Sequence, residues 1–171
     1  RAREISARKK DPNSWVRHDI RQLKNNFLNV FNAIEKNSKG KYRIVYNAAE
    51  QGPKDYLIHF EITSVKGNHI WMPAVFQDVM RDLLANARKY TDPGKSIQSG
   101  LHESDSTLRF IVRDTGIGIP EKEIEDIITF GRRGSNAEER PTRGGGFGLT
   151  KAYYVTKKFN GRMWIESPLY E

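Results

Sequence analysis

Cysteine is absent from all 171 residues. Its absence excludes a disulfide scaffold and every thiolate-ligated zinc or iron–sulfur centre. No apolar run approaches the roughly 18 residues a bilayer-spanning helix needs, and no secretory apolar core is present. The absence of cysteine suits a cytoplasmic protein. The chain opens on Arg1 rather than Met, so the expectation is a piece of a longer protein, with any membrane segment outside it. Apolar residues are sparse at 37% against 29% charged. That is still enough for a core and excludes a wholly disordered chain.

Positive charge is in excess. Lys plus Arg number 29 against 21 Asp plus Glu, a net +8. Residues 1–10 carry five bases and one acid and read as a solvated basic arm. A basic balance favours anionic partners without choosing among nucleic acid, nucleotide and acidic protein surfaces.

Local patterning gives an order of elements. Residues 13–36 read as a helix, with apolar residues at Val16, Ile20, Leu23, Phe27, Val30 and Ile34, and Leu28 and Phe31 widening the stripe. That helix either packs on its own domain or dimerises in a bundle. Strands are expected at 42–46, 55–63, 95–103, 107–114 and 162–167, and helices at 74–91, 121–129 and 149–159. Along 74–91, Val75, Val79, Leu83 and Ala87 fall on one line. Residues 131–148, rich in Gly and Arg, read as a long loop. The order lacks strict βαβ alternation. It predicts an α+β fold, a two-layer sandwich of helices on one mixed sheet with an N-terminal helix. The division is an arm and helix over 1–40 and a second unit over 41–171.

Four segments carry chemistry. In Asp82–Thr91, Asp82 and Asn86 stand one helical turn apart on a shared face, offering hard oxygen ligands of the kind Mg²⁺ takes. Lys89 and Tyr90 follow one turn later. In Asp114-Thr-Gly116-Ile-Gly118-Ile119-Pro120, a carboxylate ends an apolar strand and can accept from an exocyclic amine. The alternate glycines allow close approach to a flat ring. In Phe130-Gly-Arg132-Arg133, an aromatic ring is followed by paired guanidiniums suited to phosphate. In Gly144-Gly-Gly146-Phe147-Gly148-Leu149, glycine amides run into a helix and form an anion site. Each segment alone also fits an ordinary amphipathic helix, strand-end turn or basic loop.

In series they resemble the Asn, first glycine, Phe and second glycine boxes of the histidine-kinase ATPase family, over roughly residues 72–167. The resemblance implies an ATP-dependent protein-histidine kinase domain of a two-component sensor. Asn86 would bind Mg²⁺, with Asp82 assisting through water or acting as a base. Lys89 and Tyr90 would contact phosphate and cover the base. Asp114 would take the adenine amino group, with Gly116, Gly118 and Ile119 lining the pocket. Phe130, Arg132 and Arg133 would belong to a lid. Gly144, Gly146, Phe147, Gly148 and Leu149 would hold the triphosphate. The implied cofactors are ATP and Mg²⁺. The implied partners are a response-regulator receiver domain and a second copy in the full-length protein, with no nucleic acid. The location would be cytoplasmic, including the cytoplasmic part of a membrane-bound sensor. The alternative is an ATP-binding switch that acts in assembly with little phosphotransfer.

His18-Asp19-Ile20-Arg21-Gln22 resembles the family's phosphoacceptor box, which would make His18 the acceptor on an exposed helical position. Against that, strand-like residues begin at 42, leaving no room for the second helix of the family's hairpin. A surface histidine on an ordinary helix is the other reading.

Overall fold

A computed structural model describes residues 13–116 and 147–166. Strand β1 (Trp15–Asp19) leads into helix α1 (Ile20–Asn37), followed by β2 (Ile44–Val45) and a 3₁₀ turn (Ala48–Glu50). Strands β3 (Tyr56–Ser64) and β4 (His69–Pro73) precede helix α2 (Ala74–Lys89). Strands β5 (Ser96–Glu103) and β6 (Leu108–Asp114) follow, and helix α3 spans Phe147–Lys158.

The main sheet has the order β2-β3-β5-β6, with β2, β3 and β5 parallel and β6 antiparallel. It is mixed, as the element order predicts. A separate antiparallel ribbon joins β1 to β4. Glu103 ties the two together. Its buried carboxylate accepts from the Ser64 hydroxyl at 2.7 Å and from the Trp71 amide of β4 at 3.2 Å.

The N-terminal helix starts later than its periodicity suggests. Residues 15–19 form β1, because Trp-Val-Arg-His alternates as a strand and finds a partner in β4. Asp19 then caps α1, its side chain accepting from the Gln22 amide at 2.9 Å. The coincidental step from Val16 to Ile20 extended the apparent stripe backwards. The stripe from Ile20 onward faces the protein's own sheet. Leu23, Phe27 and Phe31 are each 1% exposed. Phe60 of β3 packs tilted on Phe27 at 4.8 Å between ring centroids and lies 6.5 Å from Phe31.

On β3, Tyr56, Ile58 and Phe60 are buried, while His59 and Glu61 face outward. That is the period-2 alternation read from the sequence. Helix α2 buries Val79, Met80, Leu84 and Ala87. Leu84 rather than Leu83 is the deepest of these, because the sheet lies under the 80–84–87 line. Two further corrections follow. Residues 161–166 form no strand; Trp164 instead places its ring 5.6 Å from the Arg109 guanidinium of β6. Strand β4 was not anticipated, since five residues abutting a helix carry too little periodicity. The expected helix at 121–129 lies outside the described residues.

Candidate functional site

The C-terminal end of α2 and the end of β6 meet at one corner. Register places Asp114 opposite Ile97, which is buried toward the helices, so Asp114 points to that side of the sheet. Its Oδ1 accepts from the Gly116 amide at 2.9 Å. This closes the turn and leaves the other oxygen to accept from a ligand. Gly116 packs directly on α2. A Cβ there would collide with the Tyr90 carbonyl oxygen and would lie 2.7 Å from Asp114 Oδ1 and 3.1 Å from Thr91 Oγ1. Only glycine lets the strand end approach the helix end this closely.

The helix end is held from beneath. The buried Tyr56 hydroxyl donates to the Thr91 carbonyl at 2.8 Å, and burial pushes that phenol's pKa up. Asp55, just before β3, accepts from the Arg43 guanidinium at 2.7 Å, the Arg43 amide at 3.1 Å and the Gly52 amide at 2.8 Å. The Arg43 guanidinium, above all, holds the Asp55 carboxyl below the usual range. The Asp55 carbonyl accepts from the Gly94 amide at 2.9 Å, fixing the turn that follows α2.

Polar atoms at this corner lack partners. Asn86 Nδ2 and Thr91 Oγ1 are buried with no hydrogen-bond partner among the described residues. Buried amides and hydroxyls are normally satisfied, so such orphans mark where a ligand or water belongs. Together with the glycine cradle and the free Asp114 oxygen, they fit the adenine side of a nucleotide. Asn86 has the oxygen chemistry to share a Mg²⁺ with phosphates. Among the described residues no cluster of three or more His, Asp or Glu forms a metal site by itself.

Other expected residues fall as follows. Lys89 is the last residue of α2 and Tyr90 its cap. Asp82, one turn before Asn86, has its carboxylate 3.6 Å from the Lys151 ammonium in the first turns of α3. That contact joins the two helices; Lys151 had no counterpart in the motif reading. Phe147 and Gly148 open α3, and Leu149 is half-buried. Gly118, Ile119, Phe130, Arg132, Arg133, Gly144 and Gly146 lie outside the described residues. His18 is not on a helix. It sits half-buried on β1, with Nε2 3.2 Å from the Met72 carbonyl oxygen. Asp55, Tyr56 and Lys151 were missed because their roles depend on segments far apart in sequence. Thr91 stood in the quoted motif but carried no role.

The sequence profile of the family described as histidine kinase-, DNA gyrase B- and HSP90-like ATPase matches residues 73–169, more than half of the chain. The chain belongs to this ATPase family. The matched stretch includes α2, β6 and α3. The adaptive-response sensory kinase SasA of Synechococcus sp. strain JA-3-3Ab is 37% identical over 98 residues, covering 57% of this chain and 26% of the relative. The sensor histidine kinase WalK of Bacillus subtilis strain 168 is 31% identical over 91 residues, covering 52% and 15%. The chain thus spans about a quarter or less of the length of these relatives. The nucleotide-free catalytic domain of histidine kinase ThkA superposes with a TM-score of 0.59 at 17% identity, covering 88% of this chain and 87% of that one. That similarity shows the shared fold.

Proposed function

We propose that this ATPase-family domain binds Mg-ATP and donates its γ-phosphoryl group to a histidine in two-component signalling. The observation that carries the reading is the joining of Asp114 and Gly116 to the Asn86–Thr91 end of α2. The names of the relatives, all sensory kinases, support the kinase branch. In this reading Asp114 accepts from the adenine amino group. Asn86 binds Mg²⁺, and Lys89 with Arg132 and Arg133 neutralises phosphate charge. Gly118 and Ile119 line the pocket, Tyr90 and Phe130 cover the nucleotide, and Gly144, Gly146 and Gly148 hold its phosphates. The bound Mg-ATP supplies the transferable group; the chain's part is positioning and charge stabilisation.

The acceptor histidine is assigned to another segment or another chain, since His18 lies half-buried on a strand. Asp82 is assigned a positioning role through Lys151, ahead of the base role. The downstream partner is an acidic receiver domain, and the full-length protein is a homodimer working in the cytoplasm.

The test is titration with ATP in Mg²⁺. Asp114→Ala removes an ionised acceptor and should weaken binding by about 30-fold, the range of a hydrogen bond to a charged group. Chelating Mg²⁺ should weaken binding again. Incubation with γ-labelled ATP and a histidine-bearing helical hairpin of the same full-length protein should give acid-labile, base-stable label on the hairpin. Binding without any label would leave the switch reading in place. No ATP binding by the unaltered chain would refute both.

A further inference from the structure

The antiparallel ribbon of β1 and β4 turns one face inward and one outward. Val16, His18, Ile70 and Met72 share the inner face, where Ile70 and Met72 are fully buried. Register puts Trp15, Arg17, Trp71 and His69 together on the outer face. Trp71 lies directly opposite Arg17, and Trp15 is its diagonal neighbour. Large apolar side chains are costly to leave in water, yet Trp15 is 58% exposed and Trp71 49%. Both residues are fixed by their neighbours. The Trp15 ring meets Phe159 edge to face at 6.2 Å, and Glu103 holds the Trp71 amide. The surroundings are cationic. The Arg17 guanidinium lies 3.0 Å from His69 Nδ1 on the same face. Lys157 and Lys158, both exposed, end α3 immediately before Phe159. Residues 1–10, with five bases and one acid, join the chain just ahead of β1. Asp19 is the sole acid among the outer residues of the ribbon, and its carboxylate is engaged by the Gln22 amide as the cap of α1.

We propose that this face rests on the surface of an anionic lipid bilayer, with the two indoles at the level of the headgroups and the surrounding cations on the lipid phosphates. The inference does not depend on the nucleotide reading. An indole has an apolar body and one N–H donor, so it partitions to the boundary between headgroups and acyl chains. Lysine and arginine gain from the negative surface potential of such a membrane. Either contribution alone gives marginal binding, and the two together hold a protein at the surface. The lysines favour headgroups over a protein partner. Protein–protein interfaces are depleted of lysine, whereas Lys157 and Lys158 stand beside the Trp15–Phe159 pair.

The experiment is sedimentation with vesicles of equimolar phosphatidylcholine and phosphatidylglycerol, and with phosphatidylcholine alone. The unaltered chain should pellet with the first, less so as salt rises, and not with the second. Trp71→Ala should weaken binding about 10-fold and Arg17→Gln about 5-fold, each melting close to the unaltered chain. The chain has three tryptophans, so Trp164→Phe leaves Trp15 and Trp71 as the only indoles. Their emission should shift to the blue on anionic vesicles and resist quenching by acrylamide. Equal binding by Trp71→Ala and the unaltered chain would leave only the basic arm at work and overturn the inference. So would vesicles being ignored while a single-stranded oligonucleotide, or the histidine-bearing hairpin, binds in a way that needs Trp71. If Trp71→Ala does not fold, the emission decides: indoles that stay unshifted and freely quenched among anionic vesicles refute the contact.

Discussion

The core under α1 and the corner at the end of α2 are built on opposite principles. Under α1, Phe27, Phe31 and Phe60 interlock, the two helix residues at 1% exposure each, with no polar atom left to satisfy. At the corner, Asn86 Nδ2 and Thr91 Oγ1 are buried without partners, and Gly116 gives up a side chain so that two segments can touch. The first arrangement maximises burial. The second spends stability on polar groups held ready. A fold that carries both would separate what keeps it folded from what the corner is proposed to bind, so variants should divide the same way.

The sharpest way to break the comparison is Phe27→Ala. Removing a fully buried ring should destabilise the chain by about 3–5 kcal/mol, read as a fall in the urea midpoint. The fraction that stays folded should keep its ATP affinity. Loss of affinity in the folded fraction would mean that core and corner are not separable.

Gly116→Ala should do the reverse. The added methyl collides with the Tyr90 carbonyl oxygen, and backbone must shift at a cost of about 1–3 kcal/mol. The shift falls on the proposed nucleotide corner. ATP affinity should drop at least ~10-fold for a displacement of this kind. An unchanged affinity would refute the cradle.

Asp55 lies between the two regions, under the corner but built for stability. Arg43 lowers its folded pKa, so its contribution is fully present above the ordinary Asp value. It is lost as pH falls through the depressed folded value. Asp55→Asn should lower the urea midpoint at neutral pH, and the gap from the unaltered chain should close as the solution is acidified into that range. A gap independent of pH would show that the hydrogen-bond geometry, rather than the charge, is what matters.

Lys151→Met should have the smallest effect. The pair with Asp82 is partly exposed on both sides, 46% and 39%, and such pairs contribute about 0–1 kcal/mol. The melting temperature should barely move. A larger change in ATP affinity than in stability would show that the contact positions Asp82, and with it the face that carries Asn86.

Much of this was legible in the chain itself. The alternation along β3 predicted its buried face because strand side chains have a period of two residues regardless of context. The ordered motifs marked Asn86 and Asp114, and both stand where α2 and β6 converge. The strand–helix boundary at Asp19 was hidden, because Val16 happens to extend a helical spacing while its strand pairing with Met72 is 56 residues away. His18 was misplaced for the same reason: its setting depends on β4, which its own neighbours do not reveal.

The sequence by itself determined the local grammar of α1, β3, α2, β5 and β6, which face of β3 is apolar, and which side chains offer carboxylate, amide and glycine at the proposed nucleotide corner. Tertiary structure alone decided what those groups face. Hydrogen bonds act over about 3 Å, so only folding could set the Tyr56 hydroxyl under Thr91, Lys151 beside Asp82 and the Gly116 backbone against Tyr90. Those contacts join residues that share no local pattern, and they turn a list of suitable side chains into a site.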